Sequence, residues 1–273
     1  MELSVFLLVL LAAVIHASWN SWLKISGNRL IAMSYMGLGW FLFSVPWAYL
    51  LPMPTKESWI FIILSTLAHI IYSLYLVFAY RKVDLSVAYP LFRGSAPVLI
   101  LVGAYVFLGE SLTALEIFSI LFVTLGILII GYAPGLMMGK ILFYGFAGGA
   151  MIAIYTILDG QGARLNLNSQ SYASWLFMFT GLPLFFIGSI ASRGTVFKIG
   201  LAESLKGVVS GILSCTAFCI IIWALSSTPM GLVAALRETS VLLVAFVSAY
   251  HLNEKVRWSG IVLVVFGLIL MRL

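Results

Sequence analysis

Apolar residues run along this chain in long stretches that are separated by short polar connections. At about 20 apolar residues per membrane crossing, the pattern predicts ten helical spans. No connection is long enough for a soluble domain, and the longest lie near residues 159–171 and 192–206. The predicted spans are residues 3–23, 31–51, 59–80, 86–108, 114–132, 141–158, 172–191, 207–225, 231–252 and 258–272.

Composition supports a membrane environment for these helices. Of the 273 residues, 63% are hydrophobic and 9% are charged, whereas a soluble domain carries about 25% charged residues. The chain is therefore predicted to be a polytopic integral membrane protein embedded in the lipid bilayer. Its formal charge of +6 comes without a basic cluster, so no nucleic-acid partner is expected. The first segment lacks a basic start and is interpreted as a retained helix.

The two halves of the chain are related by a weak internal repeat. Spans four and nine align at a shift of 144 residues, which places Arg93 on Arg237 and Glu110 on Glu254. Each half has five spans, an odd number, so the second half enters the membrane from the opposite side. The predicted fold is an all-α polytopic membrane protein with ten transmembrane helices in two inverted-topology five-helix repeats, residues 1–135 and 136–273. Transporters built this way bind substrate near the midplane, at the repeat interface.

The orientation of these helices is predicted from the basic residues in the connections. Those after odd-numbered spans hold ten lysines and arginines, and the opposite side holds Lys56, Arg164 and Arg272. Basic residues favour the cytoplasmic side, which places both termini outside. The ten are Lys24, Arg29, Arg81, Lys82, Lys140, Arg193, Lys198, Lys206, Lys255 and Arg257.

Several motifs in this layout resemble the EamA-type branch of the drug/metabolite transporter superfamily. Each half has a helix that closes on Leu-Gly-Glu (108–110) or Leu-Asn-Glu (252–254). Residues 16–20, 84–94, 155–164 and 236–240 are similar to a bacterial subgroup of that family. The resemblance implies secondary transport of small organic solutes, a central cavity lined by both repeats and, in a bacterium, the inner membrane. It also implies cytoplasmic termini, an alternative to the charge tally.

The first candidates for chemistry are two arginines that the spans leave inside the membrane, Arg93 and Arg237. A charge there costs at least about 2.5–3.5 kcal/mol, and a guanidinium fork suits a carboxylate or phosphate. Structural pairing is the alternative. Pro90 and Pro97 predict that the fourth helix is kinked or locally unwound.

Glu238 follows Arg237 directly in the sequence. Adjacent helical residues point to different faces, so Glu238 is not expected to pair with Arg237, and Arg93 is a plausible partner. As a buried carboxylate it is also a candidate proton carrier. A static ion pair is the alternative role.

Other polar and aromatic side chains within the spans are candidates for lining the cavity. Asp159 could instead end its helix before Gly160, Lys24 could reach the membrane surface, and the histidines and tyrosines could be packing residues. Glu110 and Glu254 are interpreted as structural, and Cys215 and Cys219 as small core residues. The candidates are His16, Trp19 and Asn20 on the first span, His69 and Tyr72 on the third, Tyr89 on the fourth, and Tyr155 and Asp159 on the sixth.

Together these residues predict a secondary active transporter of a small, anionic or zwitterionic metabolite. Arg93 and Arg237 would neutralise its acidic group, and Glu238 or Asp159 would carry a coupled proton. Trp19, Tyr72 and Tyr89 would form apolar walls. The alternatives are export of cationic amphiphilic drugs and a lipid or lipid-linked flippase. The sequence has no enzyme signature, and no cofactor or metal is implied.

Overall fold

The fold, taken from a computed structural model, is α-helical. The structure describes residues 1–79, 85–131, 138–243 and 257–273. Within these ranges a 3₁₀-helix, Thr195–Lys198, lies between the seventh and eighth α-helices. The α-helices are α1 (Leu3–Ile25), α2 (Arg29–Leu50), α3 (Lys56–Ala79), α4 (Leu85–Leu108), α5 (Ala114–Gly131), α6 (Met138–Arg164), α7 (Ser169–Ala191), α8 (Leu201–Ser227), α9 (Met230–Arg237) and α10 (Trp258–Arg272).

Eight of these helices, α1 to α8, are long and apolar enough to cross a membrane. A crossing needs about 20 residues at a rise of 1.5 Å each, and α1 to α8 contain 18 to 27 residues. The last helix, α10, is apolar but has only 15 residues. The protein is therefore a multi-pass membrane protein, and the first eight predicted spans correspond to helices.

The ninth predicted span differs from the prediction, because its helix is interrupted. The prediction placed one continuous helix at residues 231–252, but α9 ends at Arg237 and residues 240–243 are again helical. A tight turn joins the two parts, with the Thr239 amide bonded to the Leu236 carbonyl at 3.2 Å and the Val241 amide to the Glu238 carbonyl at 3.0 Å. These hydrogen bonds join residues three apart in the sequence, whereas those of an α-helix join residues four apart.

The fourth span was predicted to be kinked or locally unwound, and the unwinding is wrong, because the helix is continuous from Leu85 to Leu108. The kink stays a prediction. Pro90 and Pro97 both lie inside it and are buried. Proline is tolerated in a membrane helix where neighbouring protein replaces the lost contacts. Gly131 of α5 lies directly against the Pro90 ring and leaves room for it.

The helices divide into two compact units, and each unit draws on both halves of the sequence. Unit 1 comprises Met1–Val14, Phe78–Ile157 and Thr228–Leu273. Unit 2 comprises Ile15–Val77 and Leu158–Ser227. In unit 1, α4 packs on α5 and α9, and α5 packs on α10. In unit 2, α2 packs on α7 and α8.

Glycines allow close approach of helix backbones in both units. In unit 2, a Cβ on Gly37 of α2 would lie 2.7 Å from the carbonyl oxygen of Gly181 on α7, and Gly181 faces the Gly37 carbonyl in return. In unit 1, a Cβ on Gly126 of α5 would lie 2.6 Å from the Gly260 oxygen on α10. Helices in a membrane associate largely through such close packing of small residues.

Two contacts at helix ends also organise unit 1. The Glu110 carboxylate accepts a hydrogen bond from the Met230 amide at 3.0 Å and so caps the start of α9. This contact confirms the structural interpretation of Glu110, whereas Glu254 lies outside the described residues. At the termini, the Arg272 guanidinium lies 3.4 Å from the Met1 carbonyl. The two chain ends of unit 1 therefore lie together.

Candidate functional site

Three charged side chains meet in the interior of unit 1. Arg93 Nε on α4 lies 2.5 Å from Glu238 Oε2, and Arg93 Nη2 donates to the Ser240 hydroxyl at 3.1 Å. Arg237 approaches the other carboxylate oxygen, with Nε and Nη2 each 3.2 Å from Oε1. One carboxylate therefore binds two guanidinium groups, one through each of its oxygens.

The end of α9 makes this arrangement possible. Glu238 is the C-terminal cap of α9, and Thr239 begins the tight turn. The predicted pairing of Glu238 with Arg93 is confirmed. The expectation that Glu238 could not pair with Arg237 is wrong, because it assumed that both residues lie within one regular helix. At the helix end the two side chains converge.

The cluster of Arg93, Arg237 and Glu238 is almost completely buried. The two arginines are each 2% exposed and Glu238 is fully buried. Tyr155 of α6 lies beside it, with its ring centroid 5.9 Å from the Arg237 guanidinium carbon, within range of a cation–π interaction. The three charged groups sum to one positive charge. An arrangement of this kind can hold an anion, since each guanidinium presents several donors.

A second polar cluster lies in unit 2, on α3 and α6. His69 Nε2 lies 3.0 Å from Asp159 Oδ2, and the Ser65 hydroxyl donates to Asp159 Oδ1. His69 and Asp159 are each 2% exposed and Ser65 is fully buried. Because α6 continues to Arg164, the alternative that Asp159 only ends its helix is wrong. Asp159 is instead held by two polar side chains of α3.

Aromatic rings surround His69 and continue towards α1. The His69 ring packs edge-on against Phe177 of α7 at 5.7 Å and against Phe218 of α8 at 5.6 Å. His16 lies 6.0 Å from Phe218 and 4.6 Å from Trp19. Two predicted candidates, His16 and Trp19, are thus joined through Phe218 to the cluster around His69.

Trp19 and Trp40 lie at two edges of this aromatic group. Trp40 packs on Phe177 at 5.6 Å. Both indole N–H groups are buried and, within the described residues, have no hydrogen-bond partner. A buried donor of this kind favours a polar acceptor, so these two tryptophans could bind one.

The remaining candidates lie on α1, α3 and α4. Asn20 is half-buried and its amide donates to the His16 carbonyl on its own helix at 3.0 Å. Tyr72 is half-buried on α3. Tyr89 lies in α4, but its side chain is outside the described residues, as is the side chain of Lys24.

Sequence reasoning missed the hydroxyl groups that complete the two clusters, Ser65 and Ser240, and the ring of Phe218. Serine and phenylalanine are common in membrane helices, so composition gives them no distinctive signal. The helical spacing of Ser65 and His69, four residues apart on α3, places them on one face and could have indicated a shared partner. No comparable spacing rule connects Arg93 with Ser240.

Comparison with known families covers both halves of the chain. Residues 139–273 match the EamA-like transporter family, and residues 41–123 match the Small Multidrug Resistance protein family. The chain belongs to the EamA-type transporters of the drug/metabolite transporter superfamily. Its location as a multi-pass membrane protein follows, consistent with the bacterial inner membrane.

A solved structure supports the fold over the whole chain. One crystal structure of another protein aligns over 100% of this chain and 99% of its own, with a TM-score of 0.76 and 15% sequence identity. At that identity the likeness concerns the fold alone. No protein of curated function matches the chain.

Proposed function

We propose that this protein is a secondary active transporter of a small organic solute that carries an acidic group. The family supports membrane transport of small molecules, and the chemistry of unit 1 supports the acidic group. In this proposal Arg93 and Arg237 bind the carboxylate or phosphate of the solute. The observation that carries it is the sharing of one buried carboxylate, Glu238, by two guanidinium groups.

The charges of this cluster favour an anion over a cation. Glu238 already contacts both arginines, so a cation would have to compete with two guanidinium groups for one carboxylate. An anionic solute would instead reduce the positive charge of the cluster, and Glu238 and the solute could exchange as partners of Arg237. A buried charge that loses its partner is costly, so exchange between two anions avoids a step in which Arg237 has none.

Alternating access is proposed to occur by movement of two inverted five-helix repeats, residues 1–135 and 136–273, around this site. Two pairs of residues support the relation between the repeats. Arg93 and Arg237 are separated by 144 residues and share Glu238; Gly37 and Gly181 are separated by the same number and face each other reciprocally. Reciprocal contact is the property of residues close to a two-fold axis.

The coupling proton is better assigned to Asp159 than to Glu238. Protonating Glu238 would remove the shared counter-charge of Arg93 and Arg237 together. Asp159 contacts a histidine and a serine instead. Trp19, Tyr72 and Tyr89 remain the proposed apolar walls for the solute.

Export of cationic amphiphilic compounds is the second candidate. The observation in its favour is the match of residues 41–123 to the Small Multidrug Resistance protein family. In that case a carboxylate would have to bind the cation, and the described carboxylates of the two clusters, Glu238 and Asp159, are both held by basic side chains. The geometry therefore favours the acidic solute.

A ligand-stabilisation screen of the purified protein tests whether the solute is acidic or cationic. The probes are short-chain carboxylates, zwitterionic amino acids, organic phosphates and quaternary ammonium compounds, and the measurement is the shift in Tm. We expect stabilisation by a member of an acidic class, since a ligand that binds the folded state raises Tm. Stabilisation by quaternary ammonium compounds alone would overturn the proposal.

Two arginine variants test whether the acidic group of the solute binds at Arg93 and Arg237. Arg237→Lys keeps the charge but loses the planar fork, so we expect it to weaken the acid-induced shift, and Arg93→Gln to abolish it. Lys206→Gln is the matched control, because Lys206 is a basic residue whose side chain is 58% exposed and pairs with Glu203. An acid-induced shift that survives in both arginine variants would place the anion elsewhere.

A further inference from the structure

We infer that His69, Asp159 and Ser65 form a proton-binding site in unit 2, in which the pair of imidazole and carboxylate holds one exchangeable proton. This inference rests on the proposed assignment of the coupling proton to Asp159. The site shares no side chain with the arginine cluster and does not require that the transported solute be acidic. His69 Nε2 and Asp159 Oδ2 are 3.0 Å apart, a hydrogen-bond distance, and the Ser65 hydroxyl occupies the other carboxylate oxygen.

The three side chains can accept and release a proton without losing their contacts. In the loaded state both imidazole nitrogens carry a proton, Nε2–H donates to the Asp159 carboxylate, and the pair of His69 and Asp159 (the dyad) is neutral overall. On release the Nδ1–H bond breaks and its proton passes to water, while Nε2–H continues to donate to Asp159 and the dyad carries one negative charge. Ser65 donates to Asp159 in both states, so the carboxylate keeps a hydrogen bond throughout.

The apolar surroundings of this dyad couple its charge to the conformation of the protein. Among the described contacts, the rings of Phe177 and Phe218 pack against His69, and the Tyr172 hydroxyl of α7 lies near Asp159 and Ser65. A single negative charge in such an apolar, buried setting is costly. The deprotonated dyad therefore favours a conformation that admits water, and the loaded dyad favours the closed one.

Proton binding can be measured without knowing the solute. Purified protein in unbuffered detergent solution is titrated from about pH 5 to pH 9, the range in which histidine-linked protons exchange. We expect Asp159→Asn and His69→Gln each to bind about one proton fewer than the unmodified chain. The double variant should lose no more than either single variant, because one shared proton is removed in each case.

Ser65→Ala is the matched control. It removes a hydroxyl from Asp159 but keeps both members of the dyad, so the proton count should be unchanged. Equal proton counts for the unmodified chain and Asp159→Asn would overturn the inference. So would an additive loss of about two protons in the double variant, since this would mean two independent groups.

Two further measurements distinguish loss of the proton from misfolding of a variant and from loss of solute binding. ¹⁵N resonances of the His69 ring, assigned by comparison with His69→Gln, should change across the same pH range in the unmodified chain; a constant signal would contradict the inference even if a variant failed to fold. Arg237→Lys, which leaves the dyad intact, should keep the full proton count. Loss of the acid-induced Tm shift in that variant therefore bears on the solute, and loss of a proton in Asp159→Asn bears on the dyad.

Discussion

The buried carboxylates described here are each shared by two partners. Glu238 bridges Arg93 and Arg237, and Asp159 accepts from Ser65 and pairs with His69. Sharing fixes the directions of several side chains through one acceptor group. It also makes the stability of each cluster depend on its acid more than on any single partner.

We predict that Glu238→Gln destabilises the protein more than Arg237→Gln does. Loss of Glu238 leaves two buried guanidinium groups without their shared counter-charge, a change that typically costs about 3–5 kcal/mol. Loss of Arg237 leaves Glu238 paired with Arg93. Tm values of the two variants in the same detergent give the comparison, and an equal or larger loss in Arg237→Gln would contradict it.

At the scale of helices, close backbone contacts and one break define the arrangement. α2 meets α7 at Gly37 and Gly181, where the first atoms met by an added methyl group are backbone atoms. The break after Arg237 turns Glu238 back towards its neighbour. Both features depend on backbone positions, and so they tolerate little change in side-chain size.

We predict that Gly37→Ala lowers the stability of the protein by about 1–3 kcal/mol. Its Cβ would lie 2.7 Å from the Gly181 oxygen and 3.3 Å from the Phe185 nitrogen, so a side-chain rotation cannot relieve the clash and the two helices must separate.

Gly27→Ala is the control for this prediction, because a Cβ there has nothing described within 4 Å. Thermal unfolding followed by circular dichroism should show a lower Tm for Gly37→Ala and little change for Gly27→Ala. A similar Tm for the two variants would mean that the contact between α2 and α7 is loose.

At the scale of the whole molecule, the positions of the two chain ends bear on the number of membrane crossings. Arg272 lies beside the Met1 carbonyl, so both ends of the chain are at the same end of unit 1. The ten-span topology proposed above has an even number of crossings and would likewise place both ends of the chain on one side of the membrane.

We predict that reporters fused to the N-terminus and to the C-terminus are found on the same side of the membrane. A phosphatase that is active only outside the cytoplasm and a fluorescent protein that matures inside give opposite signals for each end. Reporters on opposite sides would contradict an even number of crossings. The same fusions decide between cytoplasmic termini, which the family implies, and the external termini that the basic residues favour.

The sequence by itself was sufficient for the class of protein and for most of its helices. Long apolar segments specify membrane helices directly, because the hydrophobic thickness of a bilayer sets their length. The rarity of charge inside such segments likewise singled out Arg93, Arg237, Glu238 and Asp159 as candidates. These are local properties, and each can be evaluated from a short window of the chain.

Only the tertiary structure decided which of these residues meet. Periodicity assumes a regular helix, so it could not anticipate that α9 ends at Arg237 and brings Glu238 within reach of it. Nor could it pair His69 with Asp159, which are 90 residues apart on different helices. Such contacts depend on the packing of α3 against α6 and on one backbone break, and both are set by the whole fold.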